Sequence, residues 1–124
     1  MRILSLLIVL LPSIATASTL EGVIQSVKNW NPMAVEFKEG KVLIVLNDYR
    51  LTSEIYKSIL KNGICTAVWF KKPNALDGVE EITILNKHRG SGYIFEGGES
   101  KCKEMGKLSD DDVHVYLWNN TRLP

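Results

Sequence analysis

The fold is decided by AVEFKEGKVLIVLN, residues 34–47. Residues 34–38 alternate between apolar and polar side chains, which is the pattern of a half-buried β-strand. Glu39-Gly40 is a turn sequence, and residues 41–47 are a second run rich in β-branched side chains. Two such runs on either side of a short glycine-containing turn predict a β-hairpin.

The second strand of this hairpin has apolar side chains on both of its faces. Val42, Ile44 and Leu46 share one face. Leu43 and Val45 point to the opposite face, where a sheet with one solvated side carries polar residues. The pattern therefore indicates a strand that is covered on both sides, or a strand with one face at an interface.

A helix is predicted after the hairpin, over residues 52–71. Its apolar stripe recurs at helical spacing and consists of Ile55, Ile59, Leu60, Ile64 and Val68. Thr52 or Ser53 is suited to cap the first turn. Glycine costs about 1 kcal/mol inside a helix, so Gly63 opposes this prediction, and residues 64–70 have the composition of a strand. We favour one helix because the apolar spacing continues across the glycine.

A second hairpin and a final strand follow. Residues 79–86 and 93–96 are strand-like and flank a turn at 87–92. Residues 113–118 alternate along the chain, so we predict a C-terminal strand there. On this prediction one face holds Val113, Val115 and Leu117, and the other holds His114, Tyr116 and Trp118. The aspartates at 110–112 lack the spaced ligands of a calcium loop and are interpreted as a solvated turn.

The N-terminus has the three parts of a secretory signal. Arg2 supplies the positive charge, residues 3–11 are apolar apart from one serine, and Ala15-Thr16-Ala17 offers the small-x-small pattern of a cleavage site. The apolar run is too short to span a bilayer as a helix, which takes about 20 residues. We predict cleavage after Ala17, giving a signal peptide at 1–17 and a single domain at 18–124. That domain is expected to be periplasmic or secreted, without stable membrane insertion.

The predicted elements define the fold class. A helix over residues 20–30 comes first, followed by hairpin, helix, hairpin, a short helical turn and a strand. This order predicts an α+β fold, with a small antiparallel sheet of about five strands packed against two helices. With GKVLI at 40–44 and DGVEEI at 77–82, the order resembles that of the small periplasmic BON modules. The extra hairpin and the cysteine pair depart from those modules, and we carry no function over.

Two cysteines, Cys65 and Cys102, predict one disulfide, because an even pair in an exported chain most often pairs. They lack the CxxC spacing of redox or metal-binding pairs. His88 and His114 have no zinc-binding spacing either. We therefore predict no metal and no cofactor.

The charge of residues 18–124 is balanced. Removal of the signal peptide removes Arg2 and leaves fourteen basic residues against fourteen acidic ones. Nucleic-acid binding needs an excess of Lys and Arg, so we do not expect a nucleic-acid partner. Gly90-Ser91-Gly92 is only superficially similar to a nucleophile elbow, and a domain of this size offers little room for a cleft. We expect a protein that is not an enzyme, with a small hydrolase as an alternative.

Surplus aromatic side chains point to a protein partner. The candidate partner-binding residues are Trp69, Tyr93, Phe95, Tyr116 and Trp118. Tyr and Trp are favoured at protein interfaces because they combine an apolar body with a polar tip. Alternatively, they cover the far side of the sheet. With the export signal and the balanced charge, they favour a non-enzymatic module that binds another protein, as an inhibitor, an immunity protein or an envelope-complex subunit does.

A basic turn offers a different function. Its candidate anion-binding residues are Lys87, His88 and Arg89. Backbone N–H groups of a glycine-containing turn beside cations can hold a phosphate or carboxylate. The alternative prediction is therefore a binder of a small anionic or cell-wall-derived ligand. The competing interpretation is an ordinary solvated hairpin turn.

Overall fold

The computed structural model describes residues 14–70, 72 and 74–124. Its helices are α1 (Ile14–Val27), α2 (53–69), α3 (Glu99–Met105) and α4 (Asp110–Asn119). Its strands are β1 (Ala34–Lys38), β2 (Lys41–Val45), β3 (Glu81–Leu85), β4 (Gly92–Phe95) and β5 (Thr121–Arg122). Most of the predicted signal peptide, up to residue 13, lies outside the described residues.

The five strands form one mixed sheet in the order β1-β2-β3-β4-β5. Neighbouring strands are antiparallel except β2 and β3, which are parallel. The α+β class and both hairpins are confirmed. An all-antiparallel sheet was expected, and this is wrong at one pair because α2 provides the crossover that parallel neighbours require. The described residues hold four helices, where two were expected.

Residues 113–118 are helical, so the prediction of a C-terminal strand there is wrong. α4 begins after Ser109, whose hydroxyl accepts a hydrogen bond from a first-turn amide at 3.4 Å. The aspartates at 110–112 form that first turn and favour it through the helix macrodipole. Val113 and Leu117 are both buried at the four-residue spacing of a helix. The C-terminal strand is instead β5, which pairs with β4.

α2 runs through residues 53–69, which confirms the preferred prediction of one helix across Gly63. The hydroxyl of Thr52 caps it by accepting a hydrogen bond from the amide of Ile55 at 3.2 Å. The middle segment, Leu60–Ile64, is π-helical. This segment contains the buried glycine and contacts α1.

Within the described residues α1 covers Ile14–Val27 and so extends further toward the N-terminus than the helix predicted over 20–30, and a 3₁₀ turn at Lys28–Trp30 follows it. Thr19 is 2% exposed, and its hydroxyl donates a hydrogen bond to the main-chain oxygen of Asp77 at 2.9 Å. This bond ties the first half of α1 to the loop that leads into β3.

The core lies between the helices and one face of the sheet. Its fully buried side chains include Ile44, Ile82, Phe95, Tyr56, Ile59, Leu60, Met105 and Leu117. The predicted disulfide is confirmed: Cys65 of α2 and Cys102 of α3 are bonded, with their Cα atoms 5.2 Å apart and neither residue exposed. The bond therefore joins two helices inside the core.

Candidate functional site

The strand register defines two faces of the sheet, because directly paired residues point to the same side. The inner face carries Val35, Phe37, Val42, Ile44, Ile82, Ile84, Tyr93 and Phe95. The outer face carries Ala34, Glu36, Lys38, Lys41, Leu43, Val45, Glu81, Thr83, Leu85, Ile94 and Arg122. Every strand residue in the hydrophobic core between the sheet and the described helices lies on the inner face.

The centre of the outer face is apolar. Val45 and Ile94 are 2% and 7% exposed, although neither belongs to the core cluster. Leu43 and Leu85 are half-buried, and Thr83 lies between Leu43 and Ile94 across the strands. Val45 and Ile94 are thus already covered within the chain, and Leu43 and Leu85 are the large apolar strand side chains that this face leaves partly accessible. The outer face therefore has the apolar centre that the pattern in β2 predicts.

One end of the outer face is charged. The Lys41 ammonium lies 4.0 Å from the Glu81 carboxylate, and the guanidinium of Arg122 lies 3.1 Å from Glu81 and 2.6 Å from Glu96. A shallow cavity of about 330 Å³ opens over β1 and β2, with Glu36, Lys38, Leu43 and Thr83 in its lining. The outer face thus combines an apolar centre with an ion-paired rim, an arrangement suited to docking another macromolecule.

The predicted partner-binding aromatics fall into separate places. Phe95 lies in the core and is 0% exposed, so it does not contribute to the surface. Tyr93 and Trp118 are half-buried and meet edge-on, with ring centroids 5.5 Å apart. Tyr56 packs against both rings, at 4.7 and 5.7 Å, and His114 contacts Trp118 from the preceding turn of α4 at 6.2 Å. These rings form an aromatic cluster, and its innermost ring, Tyr56, belongs to the hydrophobic core.

Tyr116 and Trp69 lie outside that cluster. The Tyr116 hydroxyl donates a hydrogen bond to the Glu104 carboxylate at 2.5 Å, and the Trp69 indole nitrogen donates one to the main-chain oxygen of Cys102 at 2.6 Å. Residues two apart on a helix are rotated by about 200°, so Tyr116 and Trp118 do not share the face that a strand would have given them. The five predicted residues therefore form no single surface.

Two tyrosines have raised pKa values. Burial raises the pKa of Tyr56, although the hydrogen bond between its hydroxyl and Thr121 acts in the opposite direction. Burial, followed by the hydrogen bond to Glu104 and the charge of that carboxylate, raises the pKa of Tyr116 to about 12. Both phenols stay protonated at neutral pH and serve as structural hydrogen-bonding groups.

The turn between β3 and β4, which carries the predicted anion-binding residues, is fixed by Asn86. This side chain is 8% exposed. Its amide nitrogen donates to the main-chain oxygen of Tyr49 at 2.9 Å, and its oxygen accepts from the amides of Gly90 and Ser91 at 2.9 and 3.1 Å. Asn86 therefore orders its own turn and attaches it to the loop after β2.

Two of the predicted anion-binding side chains pack against Tyr49, which is 71% exposed. The Lys87 ammonium lies 4.9 Å from the centre of the Tyr49 ring, and the His88 ring lies 5.3 Å away. Arg89 has a left-handed backbone with φ of 59° and is exposed at the tip. Lys87 is thus engaged with an aromatic ring, and Arg89 is the cation at the tip of the turn.

Sequence reasoning missed Asn86 and Tyr49. The signal for Asn86 was present, because an asparagine that opens a glycine-containing turn commonly bonds the backbone of that turn. No local signal places Tyr49 beside His88. That contact follows from the parallel pairing of β2 with β3, which brings the segments after the two strands side by side. There the Lys87 amide donates a hydrogen bond to the main-chain oxygen of Asp48 at 2.8 Å.

Among the described residues, no three or more His, Cys, Asp and Glu side chains are grouped to hold a metal ion. No helix in that part of the chain is long and apolar enough to cross a bilayer. Comparison with protein-family models, with curated proteins and with solved structures finds no match. The resemblance to BON modules therefore stays one of element order.

Proposed function

We propose that this protein is an exported, non-enzymatic module that binds another protein through the outer face of its sheet. The supporting observation is the apolar centre of that face, where the half-buried Leu43 and Leu85 are partly accessible beside the buried Val45 and Ile94. Protein interfaces combine an apolar, desolvated centre with a polar rim. The ion pairs around Glu81 supply such a rim at one end.

The expected partner presents an apolar patch of its own. Residues 18–124 have no net formal charge, so we expect packing rather than electrostatic steering to dominate recognition. Affinity should then change little between low and moderate salt. The disulfide is typical of proteins from oxidising compartments, which supports a periplasmic or secreted location. An inhibitor, an immunity protein or a subunit of an envelope complex would fit these properties.

The test is capture of the partner with the purified, oxidised protein from an envelope extract, followed by mass spectrometry. Leu43→Glu and Leu85→Glu each place a charge in the apolar centre and should weaken binding about 100-fold, because the carboxylate would have to be desolvated. Val115→Glu is the matched control, since Val115 is a 57% exposed apolar residue on α4. We expect one stoichiometric protein that the wild type and the control retain and both sheet variants lose.

Two results would count against this proposal. If Tyr93→Ala and Trp118→Ala abolish capture while the sheet variants do not, the interface is the aromatic cluster. If no protein is enriched, or the purified chain only associates with itself, a heterologous protein partner is wrong. Circular dichroism and thermal unfolding of each variant separate lost binding from lost folding.

A second candidate function is binding of a small anionic or cell-wall-derived ligand at turn 87–92. The Asn86 side chain accepts hydrogen bonds from two amides of that turn, and Arg89 is exposed at its tip. Lys87→Ala combined with Arg89→Ala should abolish binding of anionic cell-wall fragments in a calorimetric titration. An unchanged affinity would remove this candidate.

A further inference from the structure

A second cavity lies on the helical layer, between the C-terminal ends of α2 and α3. Its volume is about 390 Å³, within the range of small-molecule sites. Its lining residues are Val68, Trp69, Lys103, Gly106 and Lys107. We call this cavity the Trp69 shelf.

The Trp69 shelf is held in place by two connections between α2 and α3. The disulfide Cys65–Cys102 joins the helices directly beside it. The Trp69 indole nitrogen donates to the main-chain oxygen of Cys102, at 2.6 Å. Because the indole N–H already has its partner, the exposed part of Trp69 offers ring surface to a ligand.

Gly106 is required by the space that the indole occupies. Its φ of −66° is open to any residue, so the backbone conformation does not explain the glycine. A Cβ atom at this position would lie 2.5 Å from Nε1 and 2.7 Å from Cδ1 of Trp69. The missing side chain therefore lets the ring lie against the end of α3.

Two lysines give the shelf a positive rim. Both lysines are exposed: Lys103 lies in the last turn of α3, and Lys107 lies two residues beyond the end of that helix. Within the described residues, neither lysine takes part in an ion pair. The nearby carboxylate of Glu104 instead accepts the hydroxyl of Tyr116 from α4. The apolar surface of Val68 and Trp69 thus lies beside two lysine ammonium groups that can contact an anion.

We infer that the Trp69 shelf binds a small amphipathic carboxylate. The apolar body of the ligand lies on the Trp69 ring and Val68, and its carboxylate meets the ammonium groups of Lys103 and Lys107. The aliphatic stems of the two lysines extend the apolar contact. This site lies on the helical layer and is independent of the outer face of the sheet.

The probe is decanoate, titrated below its micelle concentration into the ¹⁵N-labelled, oxidised protein, with decanol as the uncharged comparison. We expect saturable shifts at the Trp69 indole N–H and the Gly106 amide. Lys103→Gln combined with Lys107→Gln should weaken decanoate binding about tenfold and leave decanol binding unchanged, because only the carboxylate of decanoate meets the ammonium groups and exposed charge pairs contribute modestly. Lys28→Gln combined with Lys61→Gln is the matched control and should bind as the wild type does.

Gly106→Ala supplies the second variant. It should displace the indole and abolish binding of both decanoate and decanol while unfolding stays cooperative. The proposal is overturned if the decanoate shifts do not saturate or centre on the outer face. It is equally overturned if the double glutamine variant or Gly106→Ala binds decanoate with wild-type affinity.

Discussion

Gly63 of α2 packs directly against the ring of Trp30. A methyl group on Gly63 would lie 3.0 Å from Cζ3 of Trp30 and 3.0 Å from the main-chain oxygen of Ser26. Ser26 belongs to α1 and Trp30 to the 3₁₀ turn that follows it. The Ser26 oxygen is a backbone atom, so it cannot rotate away from the new methyl group. The glycine that opposes helix formation in the sequence is therefore the residue that lets α1 and α2 approach.

Gly63→Ala should lower the free energy of unfolding by about 1–3 kcal/mol, because overpacking outweighs the better helix propensity of alanine. Gly22→Ala is the matched control in α1, where the nearest atom to the new methyl group is 3.9 Å away. That substitution should raise stability by about 0.5–1 kcal/mol. Urea unfolding measures both, and a Gly63→Ala protein as stable as the wild type would contradict the close contact.

Replacing Cys65 and Cys102 together with alanine should lower the free energy of unfolding by about 3–4 kcal/mol. The bond closes a loop with a sequence separation of 37, and its loss releases the entropy of the unfolded chain. Reduction of the wild type should give a similar change in guanidinium unfolding. Two free thiols in the denatured, unreduced protein would show that the bond is absent.

Asn86→Ala should destabilise the protein by about 1–3 kcal/mol, because the amides of Gly90 and Ser91 and the oxygen of Tyr49 lose a buried partner. Amide hydrogen exchange at Gly90 and Ser91 should become faster. The control is Asn62→Ala, an exposed site with one side-chain bond to Ser58 at 3.2 Å, and it should change stability by less than about 0.5 kcal/mol. Unchanged exchange in Asn86→Ala would refute the role of Asn86.

Tyr116 should make stability sensitive to alkaline pH. Its folded pKa of about 12 lies above the ordinary value of 10.0, so its contribution is complete below about pH 10 and is lost as pH rises toward 12. Tyr116→Phe should remove this part of the loss, as seen in denaturant unfolding across that range. Glu104→Gln should lower the Tyr116 pKa because the negative charge is gone. Identical pH profiles for Tyr116→Phe and the wild type would contradict the assignment.

The hairpins and α2 could be predicted because their signals are local. The C-terminal segment could not be assigned by periodicity, since a spacing of four residues belongs to both a strand and a helix. Val113 and Leu117 fit either pattern. The deciding signal was Ser109 followed by acidic residues, which cap and charge a helix N-terminus.

The candidate functional sites also differ in whether the local sequence carries a signal for them. Leu43 and Val45 indicate an apolar outer face because alternation along one strand fixes which side each residue occupies. The predicted aromatic surface required a strand at 113–118, and it does not form because those residues are helical. Contacts such as those of Gly106 with Trp69, or Tyr49 with His88, join distant parts of the chain and leave no trace in local pattern.

The packing of α1 bears on the predicted cleavage of the signal peptide. The predicted scissile bond after Ala17 lies inside this helix and two residues before the buried Thr19. Proteases act on exposed, locally unfolded segments rather than on packed helices. On the proposal that the protein is exported, we therefore expect cleavage at that bond to precede the docking of α1, and the mature helix to lack residues 14–17.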